Sequence, residues 1–270
     1  MKNKAQKYFI ILFLLLINIA IFVWIFNSKE KDTMKVYFLN VGQGDAIFIE
    51  APNGKQVLID GGRDTSVVNE LGRVMGFFDR EIDLIIATHS DQDHIGGLPA
   101  VFEKYKVVNF LDSFTESETS TYEALMNLSL VEGSDNKIGL RGQRVILDRQ
   151  KGVYLLILAP QPDDFEIGDV NDLSVVVKLV YGDTSFLLTG DAGKMVEAGL
   201  FASDGDILKS SVLKAGHHGS RTSSASFFVK AVDPNYAVIS AGKDNSYGHP
   251  HKEVLEVFEK QGVKIINTAE

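Results

Sequence analysis

The sequence predicts an α/β protein: a four-layer αβ/βα sandwich preceded by one N-terminal transmembrane helix. Three observations carry that prediction. An apolar run from Tyr8 to Phe26 stands apart, followed by a short charged stretch. From Met34 to the C-terminus, strand and helix signals follow one another with no Pro- or Ser-rich linker and no tandem repeat. Their order is strands, then helix–strand alternation, then strands and alternation again. Two such halves can stack their sheets face to face with helices outside, and one domain accounts for them.

The N-terminal run reads YFIILFLLLINIAIFVWIF, with Asn18 as its one strongly polar residue. At about 1.5 Å per residue such a helix is roughly long enough to cross a hydrocarbon core of about 30 Å. Lys2, Lys4 and Lys7 precede it, whereas Lys29-Glu30-Lys31-Asp32 after it carries no net charge. The positive-inside rule therefore expects a cytoplasmic N-terminus and an extracytoplasmic remainder. The run exceeds a usual signal-peptide core and no small-x-small cleavage site follows it, which favours an uncleaved anchor. Trp24 near its outer end suits an interface. Residues 1–28 are thus expected to be the anchor, 29–33 a linker and 34–270 one folded domain.

VYFLNV (36–41), AIFIEA (46–51) and KQVLID (55–60) read as strands, with Asn53-Gly54 as a hairpin signal between the last two. A helix is expected over 65–77. DLIIAT (83–88) is a continuous apolar run, as in a strand buried on both faces. A second helix is expected over 95–105. Residues 106–150 are polar and hard to read, with a Ser/Thr/Glu cluster at 113–121. Strands resume at 152–160, 173–180 and 185–190, the last two joined by Gly182-Asp183. A helix at 192–201, a strand at 207–215, a helix at 223–231, a strand at 236–241, a helix at 251–261 and a closing strand VKIIN complete the chain.

The chain has 270 residues, 45% hydrophobic and 23% charged, so widespread disorder is not expected. A formal net charge of -9 argues against a broad basic surface for nucleic acid, though not against a local groove. There are no cysteines, which excludes disulfides, thiolate metal sites and cysteine nucleophiles. Any metal must be held by imidazole and carboxylate, which favours zinc, manganese or iron.

The six histidines fall into three pairs: His89/His94, His217/His218 and His249/His251. Each pair follows an apolar strand run, in a turn rich in Gly, Ser or Asp, where metal and catalytic groups sit in layered α/β folds. In THSDQDHIGGL (88–98), His89, Asp91 and Asp93 alternate and can share one side if the segment stays extended. With His94, four hard or borderline ligands lie within six residues. That is a two-metal pattern.

HxDxDHxGG resembles the HxHxDH signature of the metallo-β-lactamase superfamily, with Asp91 where the second His usually stands. The variant resembles the C-terminal hydrolase domain of ComEC-type DNA-uptake proteins. So do FLNVGQGDAIFIE (38–50), LIDGG (58–62), LLTGDA (187–192), LKAGHHGSRTSS (213–224) and ISAGKDNSYGHPH (239–251). The resemblance runs from Met34 to the C-terminus in the family's order, and implies a metallo-β-lactamase-fold hydrolase domain over 34–270. It implies that His89 and Asp91 bind one metal and Asp93 and His94 the other. It makes Asp191 the bridging carboxylate and Asp60 a support behind the ligands. The family's third-motif His would fall near Asn171-Asp172-Leu173-Ser174, where there is none, so Asn171 or Asp172 is a substitute. His249 is the expected last ligand. His217 or His218 serves as a ligand or as general acid at the leaving oxygen, and Asp93 counts with them among the catalytic groups. His251 is expected to cap the helix that begins there.

The implied cofactors are two divalent ions, and Asp at 91 makes manganese as apt as zinc. A hydroxide between two such ions suits attack on phosphorus without a Ser or Cys nucleophile. Ser220 and Arg221, with the hydroxyls of 222–224, can contact phosphate oxygens, and Lys243, Asn245 and Tyr247 can line the same mouth. The expected function is a membrane-anchored phosphodiesterase or nuclease acting on DNA, with a separate uptake channel as its candidate partner. The alternatives are an extracytoplasmic phosphodiesterase for envelope polymers or lipid headgroups, a β-lactam or lactone hydrolase, and a non-catalytic metal-binding partner of a channel.

Overall fold

A computed structural model describes residues 2–27, 33–113, 115, 117–131, 133–166 and 169–269. Most of the expected linker, 29–32, lies outside the described residues. The chain divides into two compact units, Met1–Thr33 and Met34–Glu270.

The first unit holds one helix, α1 (Lys2–Asn27). Its stretch Gln6–Val23 is long and apolar enough, by length and composition, to cross a membrane. Side chains from Gln6 to Val23 are exposed all round, and Asn18 turns its amide back onto the Leu14 carbonyl at 2.8 Å. A helix apolar on every face has no stripe with which to pack one-sidedly on a core.

The second unit contains two sheets. The first runs in chain order: β1 (Lys35–Phe38), β2 (Ile47–Glu50), β3 (Gln56–Ile59), β4 (Glu81–Ala87), β5 (Lys106–Asp112) and β6 (Asp135–Ile138). Strands β1 to β3 are antiparallel, and β3 to β6 parallel. The second sheet contains β7 (Arg144–Asp148), β8 (Val153–Ala159), β9 (Val176–Tyr181), β10 (Thr184–Leu188), β11 (Val212–Lys214), β12 (Tyr236–Ile239) and β13 (Lys264–Asn267), again adjacent in chain order. It is antiparallel as far as β10 and parallel beyond it. The order of signals in the sequence therefore reappears as two halves of like design, the αβ/βα sandwich that it predicts.

Alternation within strands produces the layers. In β2, Ile47 and Ile49 face the other sheet, meeting Val153, Leu155, Ile157 and Val177, while Phe48 faces outward. Helices α2 (Ser66–Val74), α4 (Leu98–Lys104) and α5 (Ser120–Val131) bring Val67, Leu71, Leu98, Phe102 and Leu125 to that outer face. Helices α6 (Lys194–Asp204), α7 (Ser226–Val232) and α8 (Lys252–Lys260) cover the second sheet with Leu200, Phe228, Val232 and Phe258. Each such side chain contributes roughly 1.5–3 kcal/mol by leaving water. Central strands buried on both faces read as unbroken apolar runs, which is why 83–88 was legible.

Two expectations need correction. The segment 207–215 is not one strand: a 3-10 turn at Gly205–Leu208 precedes β11, and the Ile207 and Lys209 carbonyls accept from the Lys178 ammonium instead of a neighbouring strand. The helix expected over 95–105 is two pieces, α3 (Gln92–Ile95) and α4. The unreadable middle holds β5, α5, β6 and β7.

Registers place the amino ends of β1, β3, β4 and β5 at one end of the first sheet. The loops that follow β1, β3, β4, β10, β11 and β12 gather at the opposite end. All the histidines lie there.

Candidate metal centre

The loop after β4 is extended only as far as Asp91. His94 and Ile95 donate their backbone N–H groups to the Asp91 carbonyl at 2.9 and 3.0 Å, which begins α3 at Gln92. Asp93 thus sits on a helical turn, so the expected alternation of His89, Asp91 and Asp93 along one strand face does not hold. The turn instead swings Asp93 and His94 toward the second sheet. Gly44 (φ 122) and Gly96 permit this: a Cβ on either would lie 2.0 Å from the carbonyl oxygen of Asp93 or Arg63. No larger residue fits where backbones come so close.

Asp60 follows β3 with φ 59, and His217 and His218 follow β11 with φ 47 and 55. Left-handed conformations in non-glycine residues cost of order 1–3 kcal/mol each and concentrate at functional sites. Here they aim side chains at a common point. Asp60 accepts from the Thr88 N–H at 2.8 Å and the Thr88 hydroxyl at 2.7 Å, and holds His94 Nδ1 at 2.8 Å. His218 Nδ1 is held by the Ser240 carbonyl at 2.9 Å. Both imidazoles are thereby turned so that Nε2 faces inward: His94 Nε2 and His218 Nε2 are 3.3 Å apart. Each is also 3.3 Å from Asp191, and His218 Nε2 is 3.3 Å from Asp93 Oδ2.

Behind these groups lies Lys214, fully buried at the end of β11. Its ammonium is 2.5 Å from Asp45 Oδ2 and 3.6 Å from Asp191 Oδ1, and donates to the Gly190 carbonyl at 2.9 Å. Ser174 Oγ accepts from the Asp191 N–H at 3.1 Å.

Burial and charge set the protonation pattern. Burial opposes ionisation of Asp191, but His218 and His94 outweigh it and hold the carboxyl well below its ordinary range. Burial likewise opposes charge on His94 and His218, yet Asp191 and their other carboxylate neighbours push both well above an ordinary imidazole. Against its burial, Lys214 and His218 bring Asp45 down to about 2. Burial with too few carboxylate partners lowers His217, and lowers His249 to about 4.

A divalent ion fits this donor set. Asp45, His94, Asp191 and His218, all buried, each offer an atom within 4.8 Å of the others. The buried Asp45 Oδ1, Asp191 Oδ1 and His89 Nε2 have no hydrogen-bond partner, a state that polar groups in native interiors rarely keep. Nitrogen and oxygen ligands alone suit zinc or manganese.

The remaining expected residues are distributed around this cluster. The His89 ring lies 4.1 Å from that of His94, and its Nε2 is 3.7 Å from the half-exposed Asp91 carboxylate. His217 Nε2 is 3.8 Å from Asp191 Oδ2. The His249 ring is 5.8 Å from His217 and 6.3 Å from His218, so the geometry brings His218 rather than His249 to Asp191. Asn171 is represented by a buried Oδ1 without a partner, whereas Asp172 lines a side cavity with Arg141, Leu158 and Met195. Ser220 is buried and accepts from the Thr222 hydroxyl at 3.0 Å. His251 stands at the N-cap of α8, as expected, but its side chain makes no capping bond; its Nδ1 accepts from the Arg221 backbone N–H at 3.2 Å and fixes Arg221 at the mouth. Lys243 is exposed in the loop after β12. Asp45 and Lys214 were not singled out from the sequence, although both stand inside matched stretches, GQGD and LKAGHHGS.

Comparison with known proteins agrees with this picture. The profile of the Metallo-beta-lactamase superfamily matches residues 39–243. ComE operon protein 3 of Bacillus subtilis is 30% identical over 265 residues, covering 92% of this chain and 33% of its own length. Competence protein ComA of Neisseria gonorrhoeae is 32% identical over 246 residues, covering 90% and 32%. Recombination protein 2 of Haemophilus influenzae is 30% identical over 253 residues, covering 92% and 29%. The chain spans about a third of the length of the curated relatives it matches. Among solved structures, the metallo-beta-lactamase fold protein YhfI from Bacillus subtilis superposes with a TM-score of 0.55 at 11% identity, over 87% of this chain and 96% of that one. CmlA, a diiron β-hydroxylase from Streptomyces venezuelae, gives 0.52 at 14% identity, over 86% and 52%. Likeness at such identity concerns the fold.

Proposed function

The chain belongs to the metallo-beta-lactamase superfamily, and on that premise we propose that it is a membrane-anchored, metal-dependent phosphodiesterase acting on DNA. The observation that carries the reading is the convergence of Asp93, His94, Asp191 and His218, with unpartnered buried donors on Asp45, Asp191 and His89, at one end of the sandwich. DNA as substrate is supported by the competence and recombination names of the relatives. Helix α1 would serve as the anchor, with Lys2, Lys4 and Lys7 on the cytoplasmic side and the second unit outside.

Asp45, His94, Asp191 and His218, with the Asp93 carboxylate beside His218, would hold a divalent ion, and His89 and Asp91 offer further donors next to His94. Bound there, such ions supply a Lewis acid for a phosphoryl oxygen and a water nucleophilic near neutral pH. The chain's own groups do the rest. Asp60 and the Ser240 carbonyl fix the tautomers and aim of His94 and His218. Lys214 with Asp45 holds Asp191 in place. His217, mostly buried with its Nε2 3.8 Å from Asp191 Oδ2, is held neutral by burial and stands at the mouth as a group able to accept a proton. Arg221 at the mouth, with the exposed Lys243 of the loop after β12, offers donors for phosphate oxygens, whereas Ser220 is buried and supports its own loop.

The test is cleavage of end-labelled single-stranded DNA by the detergent-solubilised chain with added manganese, beside an Asp93→Asn variant. Metal-dependent cutting absent from the variant supports the assignment of both substrate and site. A second reading draws on Asp172, which lines a side cavity although a third-motif ligand was expected at 171 or 172. A folded, metal-loaded chain that leaves DNA intact would favour a non-catalytic partner of an uptake channel, or an enzyme for envelope polymers or lipid headgroups.

A further inference from the structure

The end of the second unit opposite the metal centre carries an apolar tip that nothing in the proposed chemistry uses. Gly76–Asp79 is a tight turn closed by the Asp79 N–H on the Gly76 carbonyl at 2.8 Å, with Phe77 and Phe78 at its two central positions. Phe77 is 81% and Phe78 91% exposed, and the rings lie edge to face at 4.9 Å. The turn is not loosely held. Asp79 Oδ2 accepts from the Gln56 side chain at 2.6 Å, and the Arg80 carbonyl accepts from the Lys106 N–H at 2.8 Å, so β3 and β5 brace its base. Leu130 and Val131, at the C-terminus of α5, lie at the same end and are 67% and 79% exposed. Among the described residues of this unit, these four are the most exposed large apolar side chains. Two almost fully exposed phenylalanines packed edge to face on a braced turn mark a binding surface rather than chance exposure.

Registers identify what it faces. Lys35 opposes Glu50, Glu50 opposes Gln56, and Glu81 opposes Lys106, so the chain enters the unit at Met34 on this same end. Upstream of Met34 the chain carries the stretch long and apolar enough to span a bilayer. The metal centre lies past the far end of β4, and its six residue steps at about 3.3 Å make roughly 20 Å of separation.

We propose that Phe77 and Phe78, with Leu130 and Val131 exposed at the same end, form a wedge that enters the headgroup boundary of a lipid bilayer and turns the metal centre away from it. This rests on the reading of α1 as a membrane anchor. Aromatic rings at an interface gain from burying their faces at headgroup depth. A tether alone leaves a unit free to tumble, whereas a tether and a wedge at the same end fix its orientation. The site then points toward polymer arriving from the aqueous side, not toward the membrane's own phosphodiesters.

The absence of cysteine and the single tryptophan, Trp24, make the test clean. Gly76→Cys keeps both phenylalanines, since a Cβ there meets nothing nearer than Asp79 Cβ at 3.7 Å. The full chain carrying an NBD label at that cysteine is reconstituted into phosphatidylcholine–phosphatidylglycerol vesicles with lipids brominated near the headgroup. A Ser246→Cys label at the metal-centre end serves as reference. The expected result is loss of most NBD emission at position 76 and little at 246, with the loss at 76 removed by Phe77→Ser/Phe78→Ser. Equal emission at both positions while Trp24 is quenched overturns the wedge and leaves the anchor standing. Neither label nor Trp24 quenched overturns the anchor and the wedge together. A label at 76 shielded from aqueous iodide yet untouched by brominated lipid overturns the wedge in favour of a protein partner.

Discussion

Replacing Lys214 by methionine removes a fully buried ammonium while nearly conserving volume. It leaves Asp45 without its 2.5 Å partner and deprives Asp191 of a cation 3.6 Å away. Both carboxylates are buried and ionised, so the loss strands charge in a poorly solvated site. Breaking a buried pair by deleting one partner costs about 3–5 kcal/mol. For a unit of this size each kcal/mol lowers Tm by about 2–4 °C, so the metal-free variant should melt roughly 6–20 °C below the parent. Saturating manganese or zinc should narrow that gap, because a divalent ion restores positive charge beside Asp191. Asp45→Asn/Lys214→Met should cost less than the sum of the single changes, since Asp45 is then no longer a charge without its partner and Asp191 still faces His94 and His218. The assay is thermal unfolding followed by circular dichroism, with EDTA and with added metal. A metal-free Lys214→Met protein that melts within about 2 °C of the parent would refute the view that this pair holds the centre.

Three further outcomes follow from the geometry. His218→Ala should lower the metal bound per chain measured by plasma mass spectrometry, whereas His249→Ala should leave it nearly unchanged, because the His249 ring lies 6.3 Å from that of His218; the reverse result would restore His249 as the ligand. Gly44→Ala should cost about 1–3 kcal/mol and weaken metal binding together, because its Cβ would meet the Asp93 carbonyl at 2.0 Å. Burial pushes the Glu197 carboxyl up to about 7, against backbone N–H bonds from Ala225 and Ser224 that favour its charged form. Its folded pKa is raised, so its contribution is fully present below about 4.5 and is lost as pH rises through about 7. Stability should fall across that window with a slope approaching ~1.4 kcal/mol per pH unit, and Glu197→Gln should flatten it in denaturant titrations.

Segments with one dominant physical demand were legible in the sequence. Strands such as β4, buried on both faces, need unbroken apolar runs, and amphipathic helices such as α2 and α8 need a buried stripe. The stretch 106–150 was opaque because β6 is short and mostly exposed and α5 buries only Leu125 and Ser129, so neither imposes a clear period. Residue type and clustering marked His89, Asp91, Asp93, His94 and the His217/His218 pair, because ligands drawn from one loop are neighbours in the chain, whereas Asp191 was marked only by the family resemblance of LLTGDA.

By itself, then, the sequence determined the succession of strands and helices, the apolar N-terminal helix, and the chemistry of the donors, since an absence of cysteine leaves only nitrogen and oxygen. Only the tertiary structure decided which donors meet. Asp45, Asp191 and Lys214 come from separate loops and strands, and no local pattern encodes their approach. The helical turn at Gln92 moved Asp93 off an extended face, and left-handed backbone at His217 and His218 chose His218 for the centre. Coordination depends on distances of a few ångströms between groups far apart in the chain, and the stacking of two sheets is what sets those distances.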